Sequence, residues 1–264
     1  MNDTFSVKRF WWLFKKTIFE RPAQLLGLIT LTLAITLLFY WIMRYLATWE
    51  VGQNGSFMIG FIGGGTFLAS FVFNYFTSNA GGSSYLTLPA SHFEKWLCAV
   101  LITGVLFTTV FLAFYRLIDI AFVTTHHNAL DPKSPFYKQM YEAVQVLPYD
   151  GFVASKTYMM FVNFTTAMLV GALYFNKASF IKVALIVCGL FIAGSYLNYY
   201  IAKAVFNNLD KALPYYAVFI TVGKEFGKVM LPAYASKAVD ICILYIVPAV
   251  LLVTAYIRLR EKEF

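Results

Sequence analysis

The chain has 264 residues, of which 60% are hydrophobic and only 13% are charged, and its mean hydropathy is +0.67. This composition excludes the surface of an ordinary soluble protein and indicates an integral membrane protein. The net charge of +8 comes from cations scattered along the ends of apolar segments. That scatter excludes the clustered basic face of a nucleic-acid-binding domain and favours contact with anionic lipid of the bilayer.

Residues 5–21 form a basic and amphipathic segment. As a helix, the segment has an apolar face and a separate cationic face. The apolar face comprises Val7, Phe10, Trp11, Phe14 and Ile18, and the cationic face comprises Lys8, Arg9, Lys15 and Lys16. This pattern is typical of a helix that lies in the membrane surface. Two interpretations stay open, a generic basic anchor and a dedicated element of a mechanism.

Six apolar runs without a formal charge come close to the roughly 20 helical residues that cross a hydrocarbon core. They are residues 24–43, 57–76, 96–115, 157–175, 183–202 and 241–257. The runs are continuous rather than alternating, which favours helices. We therefore predict an all-α integral membrane protein with six transmembrane helices in a single domain over residues 1–264. Cys98, Cys188 and Cys242 fall in three different runs, which predicts packed thiols rather than disulfides.

The distribution of cations predicts the orientation. Lys and Arg are frequent before the first run and after the last, and such residues favour the cytoplasmic side. Six spans place both termini on that side. The connection 77–95 is then cytoplasmic, and the connections 123–156 and 203–237 lie outside.

The stretch "YLTLPASHFEKWL" between the second and third runs contains a helix start. Ser91 and Glu94 have the S-x-x-E spacing of a capping box, in which each side chain accepts from the backbone amide of the other residue. Pro89 biases Leu88 toward an extended conformation, so that a preceding helix does not run straight into the next one. The spacing alone is compatible with a simple turn or with a dedicated docking element.

Glycine and proline mark two of the runs. Gly60 and Gly64 are four residues apart, a spacing that lets helix backbones approach closely, and we predict a packing role for both. Pro248 in the sixth run predicts a kink, because it lacks a backbone donor.

The two outer connections have different characters. Ser134 followed by proline predicts a short helix in the first, which also holds the adjacent His126 and His127, a poor pattern for a metal site. In the second, residues 212–223 are apolar but too few to cross the membrane, so we predict a re-entrant or interfacial segment before the sixth span.

The motifs of catalysis and nucleotide binding are absent from the sequence. It contains no Gly-x-Ser-x-Gly, no His-Glu-x-x-His and no phosphate loop, so we expect no enzymatic activity, cofactor or metal in this chain. Arg116 and Asp119 are three residues apart and are predicted to pair near the outer end of the third span, as an interface anchor or as functional groups.

The amphipathic start, the six spans, the capped "LPASHFEKWL" and the tail "YIRLREKEF" together give the chain a family resemblance. It resembles a permease subunit of the ABC-2 type ATP-binding cassette transporters, in the style of small Bacteroidetes permeases. Its first outer connection, 123–156, is longer than is usual in that family.

The resemblance implies a function and a set of partners. The chain would be an exporter subunit of the bacterial inner membrane, paired with a second copy or a related permease and with a separate cytoplasmic ATPase that binds ATP and Mg²⁺. By the same resemblance the ATPase-coupling region would comprise Leu88, Pro89, Ala90, Ser91, His92, Phe93, Glu94 and Lys95.

Two other functions compete with transport. One is a membrane scaffold or regulatory subunit that anchors a partner through the same cytoplasmic turn. The other, the weakest, is an enzyme built around His126, His127 and Asp131.

Overall fold

The computed structural model describes residues 5–20, 22–175, 177–206, 209–213, 217–222, 225–230 and 232–262. The α-helices are α1 (Val7–Glu20), α2 (Pro22–Leu46), α3 (Trp49–Val72), α4 (Asn79–Leu86), α5 (His92–Val100), α6 (Phe107–Asn128), α7 (Tyr137–Ala143), α8 (Phe152–Tyr174), α9 (Ser179–Val205), α10 (Ala233–Ile241) and α11 (Val247–Arg260). A 3₁₀ turn, Asn74–Thr77, precedes α4. The helix predicted over 5–21 is present as α1, and Arg21 lies outside the described residues.

Six helical segments are long and apolar enough to cross a membrane, which confirms the six predicted spans. They are Gln24–Leu46, Trp49–Val72, His92–Asn128, Phe152–Tyr174, Ser179–Val205 and Ala233–Arg260. The third is longest because the capped helix α5 runs through a π-helical turn into α6 without leaving the helix. The protein is therefore a predominantly helical, multi-pass membrane protein.

The two ends of the helix bundle carry different short elements. We call the end that holds α1, α4 and α5 the α5 end. At the opposite end, the connection between α6 and α8 contains the predicted short helix, observed as α7, and then an extended segment, residues 144–149, which we call the strap.

Aromatic side chains fill the bundle interior between α3, α6 and α8. The rings of Phe61 and Phe161 stack with centroids 4.1 Å apart, and further rings extend the column toward the strap end. The column comprises Phe57, Phe61, Phe107, Phe111, Tyr115 and Phe161, all buried. Such offset ring stacks add to the burial of apolar area.

The two predicted packing glycines lie where α3 meets α2. A Cβ at Gly60 would collide with the side chain of Thr36, and one at Gly64 with Thr32. The absence of a side chain thus allows the close approach of α2 to α3.

Two spans contain a π-helical turn. One, Leu101–Leu106, joins α5 to α6, and the other, Cys242–Ile246, joins α10 to α11. The second ends just before Val247 and Pro248, where the sequence predicted a kink. A proline cannot supply the next backbone donor, and such wider turns are one way in which a helix accommodates it.

The region predicted as re-entrant contains an antiparallel sheet instead of further helix. Its strands are β1 (Leu209–Leu213), β2 (Ala217–Val222) and β3 (Glu225–Met230), in the order β1-β2-β3, with Val218 opposite Val229. The short apolar run is rich in β-branched residues, which favours a strand over a helix. The observed strands correct the expectation of an all-helical chain. Where this sheet lies relative to a membrane stays a prediction.

The spans differ widely in how much of them is buried within the chain. In the most apolar stretch of each span, 61% of the residues of α3 are buried, whereas only 6% of those of α9 are buried. Cys98 is buried as predicted. Cys188 in α9 and Cys242 in the sixth span are exposed, because few residues of these two spans are buried. All three thiols are free.

Candidate functional site

The predicted capping box is present at the start of α5. The hydroxyl of Ser91 accepts from the amide of Glu94 at 3.2 Å, and a carboxylate oxygen of Glu94 accepts from the amide of Ser91 at 2.9 Å. Two amides that lack partners at a helix start are satisfied in this way. Local sequence spacing was sufficient to predict this feature.

The same carboxylate also anchors the start of α1. Its other oxygen accepts from the backbone amide of Ser6 at 2.8 Å and from Nη2 of Arg9 at 3.0 Å. Glu94 is fully buried. One negative charge therefore lies at the positive ends of two helices and beside a guanidinium, and it joins α1 to α5.

Lys95, the neighbour of Glu94, joins α5 to α4. Its ammonium group donates to the carbonyl of Leu86 at 2.8 Å and lies 5.6 Å from the ring centre of Tyr85. Lys95 is fully buried. Burial also raises the pKa of the Tyr85 hydroxyl well above its ordinary value, so this tyrosine is neutral. Both charged residues of the predicted coupling motif thus have structural contacts inside the chain.

Only part of the predicted coupling region is available to a partner. Pro89 and Phe93 are exposed, Leu88 and His92 are half-buried, and the other four residues, Ala90, Ser91, Glu94 and Lys95, are buried. The Phe93 side chain is 40% exposed. The structure therefore reduces eight predicted residues to a small surface centred on Phe93.

An aromatic cluster surrounds Phe93. Its ring lies 6.0 Å from that of Phe5, 5.5 Å from that of Trp96 and 6.2 Å from that of Tyr256. Trp96 also donates from Nε1 to the carbonyl of Leu252 at 3.0 Å. The cluster thus joins the segment before α1, the helix α5 and the helix α11.

The strap is held at the other end of the bundle by a second buried carboxylate. Asp119 accepts from the hydroxyl of Tyr40 at 2.6 Å, from Nε2 of Gln53 at 2.8 Å and from the amide of Leu147 at 2.7 Å. The same Gln53 nitrogen donates to the carbonyl of Gln145 at 2.9 Å. Three spans therefore contribute to one network that fixes the strap backbone.

The predicted pair of Arg116 and Asp119 is not formed. Arg116 donates to the carbonyl of Leu147 at 3.0 Å, and its guanidinium lies 3.9 Å from the ring centre of Tyr149. The strap passes over both residues and offers Asp119 an amide and Arg116 a carbonyl. Sequence spacing gave no sign of this, because Leu147 is 28 residues from Asp119 and 31 residues from Arg116 along the chain.

The residues of the suggested enzymatic site are not brought together. His127 stacks on Tyr141 at 3.8 Å and contacts the carbonyl of Val144 at 2.8 Å, while His126 lies against Trp49. Asp131 accepts from the amide of Lys133. Within the described part of the chain, no group of three or more His, Cys, Asp or Glu is placed to hold a metal ion.

Comparisons with known proteins do not extend these observations. No protein-family model, no curated protein and no solved structure matches the chain.

Proposed function

We propose that this chain is the membrane-spanning permease subunit of an ABC-2 type ATP-binding cassette transporter, and that α5 is the coupling helix on which a separate cytoplasmic ATPase docks. The observation that carries the proposal is the buried carboxylate of Glu94, which joins the first turns of α1 and α5. A helix fixed in this way transmits a displacement, whereas a flexible loop would absorb it.

The docking surface in this proposal is the exposed part of the Phe93 cluster. Large aromatic residues that enter a pocket on a partner are common anchors of protein interfaces. Phe93 and Pro89 are exposed, while the residues beneath them are buried. A partner would therefore meet a shaped apolar surface on a rigid base, which lowers the ordering cost of association.

Two routes would carry a displacement of α5 into the membrane. The first is along its own span, because α5 leads through Leu101–Leu106 into α6. The second is sideways into α11, through the contact of Trp96 with the carbonyl of Leu252. One docking event would thus act on the third and sixth spans together.

The proposal includes further subunits. The spans α2 and α9 are 17% and 6% buried in their most apolar windows, so their apolar faces are available to lipid and to a second permease chain. We propose two copies, or this chain with a related one, with ATP and Mg²⁺ bound by the ATPase. The complex would export its substrate across a bacterial inner membrane, with both termini of this chain cytoplasmic.

The test is the substitution Phe93→Ala. We expect it to weaken ATPase binding and to lower substrate-stimulated ATP hydrolysis in proteoliposomes by about tenfold, because an anchor of this kind contributes 1.4 kcal/mol or more, about a factor of ten. Membrane insertion should not change. Phe136→Ala is the matched control, since Phe136 is 61% exposed in the connection at the other end of the bundle.

The measurement separates transport from the alternative, a membrane scaffold. A scaffold would also lose its partner in the Phe93→Ala variant, but its partner's hydrolysis would not respond to the intact chain. Co-purification in mild detergent that never recovers a nucleotide-binding protein would contradict the transport proposal. Parent-level binding and hydrolysis in Phe93→Ala would show that α5 is only the start of the third span and not a docking site.

A further inference from the structure

The sixth span contains a backbone carbonyl that has lost both of its usual donors. In the π-helical turn Cys242–Ile246, the amide of Val247 donates to the carbonyl of Cys242, five residues back. The carbonyl of Ile243 would then receive the amide of residue 248, but Pro248 has no N–H. An unpaired carbonyl is strongly unfavourable in hydrocarbon, where no water can replace the donor.

Asn163 in α8 supplies the missing donor. Its Nδ2 donates to the carbonyl of Ile243 at 2.9 Å and to the carbonyl of Met159 in its own helix at 2.8 Å. Both hydrogens of the amide are used, and both partners are acceptors, which identifies the end of the side chain that is the nitrogen. An apolar side chain at position 163 would leave the Ile243 carbonyl without a partner.

The π-helical turn determines which face of α11 meets α5. It contains one residue more than an α-helical turn, and one residue corresponds to a rotation of about 100°. In the observed register the Leu252 carbonyl lies 3.0 Å from Nε1 of Trp96, and the ring of Tyr256 lies 6.2 Å from that of Phe93. A return to the α-helical register would turn these groups away from α5.

We infer that Asn163 is a positioning residue that holds the sixth span in its π register, and that this register sets the contact between α11 and α5. Without the Asn163 donor, the Ile243 carbonyl regains a partner when the turn becomes α-helical and receives the amide of Val247; in that register it is the carbonyl of Leu244, four residues before Pro248, that lacks a donor. The span is therefore an element with two registers, and α8 selects between them. The inference concerns this chain alone and holds whether or not an ATPase binds α5.

Disulfide formation between Phe93→Cys and Tyr256→Cys reports the register. The full chain is studied in its membrane, with the three native cysteines replaced by alanine, and the rate of oxidative cross-linking is measured. We expect Asn163→Leu to slow cross-linking by about tenfold, the scale of one lost hydrogen bond to a buried carbonyl, and Asn163→Gln to stay within about twofold of the parent rate. Glutamine keeps an amide that donates to a carbonyl of the sixth span.

Thr166→Val is the matched control on α8. Among the described residues, the Thr166 hydroxyl donates only to carbonyls of its own helix, those of Val162 and Asn163, so cross-linking should proceed at the parent rate. An equal rate in Asn163→Leu and Thr166→Val would overturn the inference, and so would a loss as large in Asn163→Gln as in Asn163→Leu. If Asn163→Leu does not accumulate in the membrane, the comparison is made in a chain that carries Pro248→Ala, which adds one donor to either register. Slower cross-linking with Asn163→Leu than without it then supports the inference, and equal rates contradict it.

Discussion

Two buried carboxylates at opposite ends of the bundle hold short segments against the spans, but they do so with different partners. Glu94 accepts from the guanidinium of Arg9 and from the amides that start α1 and α5. Among the described residues, the donors to Asp119 are all neutral: Tyr40, Gln53 and the amide of Leu147. The α5 end is held by an ion pair and by the amides that start two helices. The strap end is held by hydrogen bonds from neutral groups.

This difference suggests different mechanical roles for the two ends. Glu94 connects α1, which lies outside the six spans, to α5, the first part of the third span, so we expect α1 and α5 to shift together. Asp119 draws on α2, α3 and α6 at once, so the strap moves only if a network across three spans opens. We therefore expect the α5 end to transmit displacement and the strap end to resist it.

The largest expected effect is that of Glu94→Ala. It removes the acceptor of two helix-start amides and one charged partner of Arg9, whose side chain is 32% exposed. We expect a cost of about 3–5 kcal/mol, since each unpaired amide costs about 1–3 kcal/mol and a hydrogen bond to a charged group contributes about 1.5–3 kcal/mol. We expect α1 to detach, which hydrogen exchange of the amides in its first turn would detect as fast exchange. Trypsin cleavage at Lys15 and Lys16 should rise in parallel.

Glu50→Ala is the control for this variant, because Glu50 is an exposed acidic residue in the first turn of α3. It should leave α1 protected. If α1 exchanges equally slowly in Glu94→Ala and in the parent chain, then its contacts other than those with Glu94 are sufficient to hold α1, and the role given to this carboxylate is wrong.

Asp119→Ala should have the next largest effect, and it should be confined to the strap end. Three donors lose their acceptor, and we expect a cost of about 2–4 kcal/mol in the free energy of unfolding, since each buried unpaired donor costs about 1–3 kcal/mol and some of them find new partners. Labelling of Val144→Cys by a water-soluble maleimide, in a chain whose native cysteines are replaced by alanine, reports release of the strap, because the Val144 side chain is buried in the parent chain. Exchange at α1 should not change, and fast exchange at both ends would contradict the separation that we propose.

The parts of the structure that the sequence predicted are those with local causes. The capping box needs only Ser91 and Glu94, three residues apart, and each span needs only a run of apolar residues. The partners of the two carboxylates have no such local cause, because Arg9 is 85 residues from Glu94 and Tyr40 is 79 residues from Asp119 along the chain. No spacing rule connects such residues, and in the sequence Arg9 has the pattern of an ordinary surface cation.

The sheet β1-β2-β3 was missed for another reason. Length excluded a spanning helix in residues 212–223, and the remaining membrane interpretation was a re-entrant segment. The strands depend on pairing between segments, such as Val218 with Val229, which a single run of residues does not reveal. Composition alone, with Val218 and Ile220 in one short run, was the available signal.

The smallest expected effect is that of Ser91→Ala, and it separates the two functions of Glu94. This variant removes one acceptor at the start of α5, which costs about 0.5–2 kcal/mol, but it leaves the Glu94 carboxylate and its contacts with Arg9 and Ser6 in place. We therefore expect faster hydrogen exchange at the amide of Glu94 and unchanged protection of α1. If Ser91→Ala also exposes α1, the local cap and the link between helices form one cooperative unit, and α5 cannot loosen without releasing its neighbour.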